Sequence, residues 1–95
     1  MNKIKVIFRK DRKDKSIVAF FPEFPARYGN IACYENTSHG ETSYNYYNDT
    51  MSAKKEEYSR LLEQLKQIYC DYDLIVKKKL HYPDLLNVWK KSVEK

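Results

Sequence analysis

The sequence predicts an α+β domain. It should be a small two-layer unit, a mainly antiparallel sheet of three to four strands with helices on one face, in the order β-β-(β)-α-β-α. Three observations predict it. Apolar and basic residues alternate near the start, an unbroken apolar run over 16–21 ends at prolines, and a helical apolar stripe crosses 52–70. Strands that precede helices in this way suit a sheet with helices laid against it.

Residues 3–9, KIKVIFR, place Ile4, Val6 and Phe8 between Lys3, Lys5 and Arg9, the period of a half-buried strand. Residues 10–15, KDRKDK, are all charged and fit an exposed connection. SIVAFF over 16–21 suits a strand covered on both faces, antiparallel to the first. Pro22 and Pro25 end it, because proline offers no N–H to a ladder. Gly29-Asn30 signals a turn, 31–34 a short third strand, and 35–50 a long loop with one helical turn.

Over 52–70, Tyr58, Leu61, Leu62, Leu65, Ile68 and Tyr69 share one helix face, with Leu62 and Leu65 expected in the core. Ser52 or Thr50 can cap its start, and Glu56 and Glu57 sit where the helix dipole favours anions. Residues 73–80, DLIVKKKL, read as a strand. Pro83 suits the first turn of a last helix over 83–93, with Leu85, Leu86, Trp89 and Val93 on one face. The chain is read as a single domain, 1–95.

Composition narrows the class. The apolar fraction is 42% and the aromatic fraction 15%, enough to fold and too aromatic for a disordered chain. No apolar run approaches the roughly 20 residues that cross a bilayer. The start lacks the apolar centre and cleavage site of a signal peptide, so a cytoplasmic location with reduced thiols is expected. A Cys33–Cys70 disulfide is disfavoured there.

Charge is distributed unevenly. Residues 1–16 carry seven Lys/Arg against two Asp, whereas 17–53 carry Arg27 alone against Glu23, Glu35, Glu41 and Asp49. The acidic part contains the least regular stretch, 31–50, which holds four of the nine tyrosines with a cysteine, a histidine and a glycine. Too aromatic for a solvated linker, it marks Tyr34, His39, Gly40, Glu41, Tyr44, Tyr46 and Tyr47 as candidate partner-binding residues with partly exposed rings. His39-Gly40 either contacts a ligand or closes its own loop.

Cys33 and His39 supply the residue types of a thiol nucleophile and its base, yet a strand cysteine is more often a buried apolar group. Cys33, His39, Cys70 and His81 could ligate zinc but lack any zinc-ligand spacing, so neither metal nor cofactor is expected. Lys3, Lys5, Arg9, Lys10, Arg12, Lys13 and Lys15 are the candidate nucleic-acid contacts of a basic protein with pI ≈ 9.1. Lys77, Lys78 and Lys79 read as solvated lysines guarding a sheet edge.

The order of these motifs is informative. A hairpin ends in FPEFPA (21–26), followed by Gly29, Cys33-Tyr34, His39-Gly40, Thr50, then Glu56-Glu57-Tyr58 with Leu61, and Val76. This pattern, over residues 3–80, resembles a family of small uncharacterised proteins frequent in gut Bacteroidales and their phages, crAss-like phages included. Members carry a Gln before the His-Gly pair and another His slightly upstream. Here those places hold Ser38 and Asn36 or Thr37, which argues against an obligatory two-histidine metal site or dyad. The resemblance implies a phage or mobile-element setting and no established activity.

The resulting expectation is a non-enzymatic phage or mobile-element protein that binds a host or viral protein through loop 34–50, in the host cytoplasm if phage-encoded. The alternatives are a basic nucleic-acid-binding accessory protein and a small Cys/His enzyme.

Overall fold

The computed structural model describes residues 2–35 and 38–93. Positions 36 and 37, where the resembled family has its upstream histidine, lie outside the described residues. The elements are β1 (Lys3–Lys10), β2 (Ile17–Phe21), β3 (Asn30–Glu35), β4 (Ser38–Ser43), α1 (Tyr44–Asp49), β5 (Met51–Ser52), α2 (Lys55–Ile68), β6 (Asp73–Lys77) and α3 (Tyr82–Val93). The α+β class and the mainly antiparallel sheet stand.

One six-stranded sheet runs in the order β4-β3-β2-β1-β5, with β6 also along β1. Strands β1 to β4 form an antiparallel meander. On its other side β1 meets β5 antiparallel at Arg9 and Lys10, and β6 parallel from Lys3 to Ile7. The sheet thus has more strands than the three to four expected. The extra ones are β4 and the two-residue β5, too polar or too short to show periodicity.

Helices cover both faces of the sheet, where one covered face was expected. Ile4, Val6, Phe8, Ala19, Phe21, Ala32 and Tyr34 pack with Leu65 of α2. On the opposite face, Ile7, Val18, Phe20, Ile31 and Cys33 pack with Tyr47 of α1 and Leu85, Val88 and Trp89 of α3. The reason is the apolarity of consecutive residues in β2 and β3. Alternation sends neighbours to opposite faces, so a continuous apolar run needs cover on both.

The connections follow local chemistry. The turn after β1 is closed by the Asp11 N–H on the Ser16 carbonyl at 2.9 Å, with Lys15 at φ 64°. Gly29 takes φ 86° in the turn before β3, a conformation open to glycine without strain. Ser43 caps α1 by accepting the Tyr46 N–H at 3.0 Å. At the start of α2 the carboxylate of Glu57 accepts the Lys54 N–H at 2.8 Å. Neither Thr50 nor Ser52 caps that helix, because Ser52 ends β5 and Thr50 precedes it, both ahead of the cap position at Lys54.

Helix faces differ in detail from the sequence reading. Leu65 is fully buried, while Leu61 and Leu62 are half-buried and Ile68 is exposed. In α3, Leu85, Val88 and Trp89 face the sheet, whereas Leu86 and Val93 face solvent. Strand β6 ends at Lys77, three residues before the expected end. Among the described residues, no helix is long and apolar enough to cross a membrane.

The burial difference within α2 sets an expected outcome. Leu65→Ala should cost about 2–5 kcal/mol in urea unfolding, since it removes a buried branched side chain. Leu62→Ala should cost clearly less. Equal losses would contradict the assigned helix rotation.

Candidate protein-interaction surface

The structure disperses the 34–50 segment. Tyr34 is buried under α2 and accepts a hydrogen bond from Gln64 Nε2 at 2.8 Å. Tyr47 is buried on the other face, edge-on to Phe20 with ring centroids 5.0 Å apart. Its hydroxyl accepts the Leu80 N–H at 3.1 Å, which ties α1 to the segment before α3. Burial pushes the Tyr47 phenol upward in pKa. Both residues therefore belong to the core and leave the candidate surface.

Tyr46 is half-buried and donates its hydroxyl to Asp11 Oδ2 at 2.6 Å, clasping α1 to the β1–β2 turn. Burial and the Asp11 carboxylate both raise its pKa. That bond, with the N–H groups of Lys13 and Asp14, holds Asp11 below the usual carboxylate range.

His39, Gly40 and Glu41 remain exposed, and they lie on a strand rather than in a loop. His39 Nε2 lies 2.7 Å from the Tyr69 hydroxyl, and its ring stands edge-on to Tyr34 at 4.7 Å. The imidazole thus links β4 to the C-terminal end of α2. Glu41 Oε1 accepts from Arg27 N–H at 3.2 Å and Asn30 Nδ2 at 3.1 Å, which holds its pKa down.

Tyr44 takes a different place, within an aromatic group built on Trp89. The Trp89 indole donates to the Asn30 carbonyl at 2.7 Å, fixing α3 over the start of β3. Around it stand Tyr28, Tyr44 and Tyr82, with ring centroids 5.2, 5.8 and 5.9 Å from the indole. Tyr82, Leu86, Trp89 and Val93 fall on one stripe of α3 by helical spacing. Tyr28 is 69% exposed, Val93 65%, Leu86 44% and Tyr82 41%. These are four of the six exposed large apolar side chains among the described residues. Periodicity misled here, because it placed Leu86 and Val93 on the buried face of the helix. Tyr28 and Tyr82 are singletons beside a turn and a proline, and nothing in the sequence links them.

The chemistry of the other candidates is decided by sheet alternation. Cys33 packs among Ile31 and Phe20 under α3, while the His39 ring lies on Tyr34 and Phe21 on the α2 side. Thiol and imidazole thus occupy opposite faces. Burial, then Glu35 and Glu41, push the Cys33 thiol up in pKa, the reverse of nucleophile activation. Cys33 and Cys70 are both free thiols. Among the described residues, no group of three His, Cys, Asp or Glu could hold a metal.

The early cations do not converge. Lys5 pairs with Asp84 at 2.9 Å, and Lys10 pairs with Glu57 on the other face. Arg9 donates Nε to Thr50 Oγ1 at 2.9 Å and lies over the Tyr47 ring at 5.2 Å. Arg12 donates to the Asp49 carbonyl at 2.6 Å. Lys13 and Lys15 are exposed in the turn, and Lys3 lies at the far end of β1. A cavity of about 560 Å³ between the β2–β3 loop and α3 mixes Glu23, Glu41 and Asp84 with Arg27 and Lys91, so it selects neither sign of charge.

No family model, curated protein or solved structure matches the chain.

Two measurements check this geometry. Cys70 should react with a thiol reagent in the native protein, and Cys33 only upon unfolding; prompt labelling of both would contradict the burial of Cys33. The second concerns acid. Because the folded pKa of Asp11 is lowered, its contribution to stability is present above the ordinary value of 3.8 and lost as pH falls through the lower folded value. Melting temperatures of wild type and Asp11→Asn should therefore differ at neutral pH and converge below about pH 4.

Proposed function

We propose that the chain is a non-enzymatic interaction protein of phage or mobile-element origin that binds a host or viral protein in the host cytoplasm. The origin rests on the motif resemblance. The binding reading rests on one observation, the exposed Tyr28 and Tyr82 rings packed on Trp89, with the exposed Leu86 and Val93 following Tyr82 along α3.

Supporting aromatics of this kind combine large contact area with small entropy loss, the chemistry of an interface hot spot. Tyr44 brings the original segment into this surface, half-buried against Tyr82 at 5.5 Å. The buried thiol and the dispersed, internally bonded cations favour this reading over the enzyme and nucleic-acid alternatives.

The test is a Tyr82→Ser, Leu86→Ser variant. Its stability should stay within about 1 kcal/mol of wild type, because partly exposed side chains contribute little to the core. Capture of a host or viral protein, confirmed by reconstitution with that protein purified, should fall about thirtyfold, the equivalent of about 2 kcal/mol for one hot spot. Undiminished affinity would remove this surface from the interface. Capture of nucleic acid that is lost as salt rises would instead support the basic alternative.

A further inference from the structure

The two edges of the sheet differ. At one, β5 has two residues and β6 ends in Lys77 with Lys78 and Lys79 following, and short strands and lysines discourage edge pairing. At the other, β4 reads SHGETS, with six residues and neither lysine nor proline, and among the described residues it pairs with β3 alone. Tyr44 donates its N–H to the Gly29 carbonyl at 2.9 Å. Backbone direction alternates along an antiparallel ladder. Thr42, Gly40 and Ser38 therefore turn their backbone groups toward β3, and His39 and Glu41 turn theirs outward.

Among the described residues, neither backbone conformation nor close packing requires a glycine at position 40. Its φ is not positive, and a Cβ added there would meet nothing within 4 Å. A glycine inside a strand weakens it, and often marks the close approach of another backbone.

We infer that β4 pairs with β4 of a second copy of this chain, antiparallel, about a two-fold axis through Gly40. The register is fixed by the outward groups. His39 exchanges backbone hydrogen bonds with Glu41 of the second copy, and the reverse pair follows by symmetry. Gly40 then faces its own mate in a non-hydrogen-bonded position, where Cα atoms lie about 4.5 Å apart. Opposed residues share a face, so each imidazole lies beside a carboxylate. Among the described residues, Glu41 bonds through Oε1 and His39 through Nε2, and this contact engages Oε2 and Nδ1. The pairing is separate from the Trp89 surface.

Sedimentation of the purified chain over a concentration series should give a species of twice the 11.4 kDa chain mass. In a Cys33→Ala, Cys70→Ser background, which removes the thiol opposite position 40 in the same chain, Gly40→Cys should oxidise to a covalent dimer, while Thr42→Cys, which faces Ser38 of the second copy, should not. Glu41→Lys should abolish the dimer, and adding His39→Glu should restore it, with thermal melts confirming that each variant folds. A monomer at every concentration, equal cross-linking at position 42, or a dimeric Glu41→Lys would each overturn the inference. None of these variants touches Tyr82 or Leu86, so loss of the dimer and loss of the heterologous partner are read separately.

Discussion

Everything in this domain depends on covering the central strands from both sides. Val18, Ala19, Phe20 and Phe21 are consecutive and fully buried, and β1 adds Val6 and Ile7 at zero exposure. A sheet with such strands cannot leave one face in water. Helix α2 seals one side through Leu65, and α1 with α3 seals the other through Tyr47, Leu85, Val88 and Trp89. The polar clasps serve this arrangement. Tyr46–Asp11, Tyr47–Leu80, Trp89–Asn30 and Lys5–Asp84 each tie α1 or α3 to a different part of the chain, so the short helices are fixed by hydrogen bonds as well as by area. A short amphipathic helix forms mainly because its apolar face is packed, and these bonds decide where.

Long periodic elements were legible before folding. The alternation of 3–9, the apolar run of 16–21 and the 52–70 stripe each became the expected element, since burial on one or two faces imposes a period that residues must obey. The tyrosine-rich stretch was not legible. Strand β4 has no apolar alternation; it is a strand because β3 offers a ladder, and tertiary context overrides a polar sequence. Helix α1 is six residues long, too short for its period to stand out. The number of covered faces was in principle readable, for the consecutive apolar residues of 16–21 already demand two. What periodicity could not supply was the rotation of α3, where Val88 rather than Leu86 turns inward because the Trp89 indole must reach Asn30.

The candidate site shows the same division between pattern and placement. Residue types pointed to Cys33 and His39 as a pair, but neighbouring positions on one strand and its partner fall on opposite faces of a sheet. Seven early cations looked like one patch in sequence, yet a strand sends alternate residues apart, and Lys5, Arg9, Lys10 and Arg12 each found an internal partner. The aromatic group on Trp89 draws Tyr28, Tyr44, Tyr82 and Trp89 from distant positions. Only the fold could assemble it.

The parallel pairing of β1 with β6 has a kinetic consequence. Ile4 and Leu74 are partners in that ladder, so β1 is synthesised well before the strand it pairs with. Contacts of such long range are slow to form, because loop closure precedes any gain from pairing. Until β6 arrives, the side of β1 from Lys3 to Ile7 is an unguarded template flanked by apolar side chains. A nascent or truncated chain that stops after α2 would carry this exposed ladder and be prone to aggregate. Synthesis of β6 is thus the step that makes β1 safe.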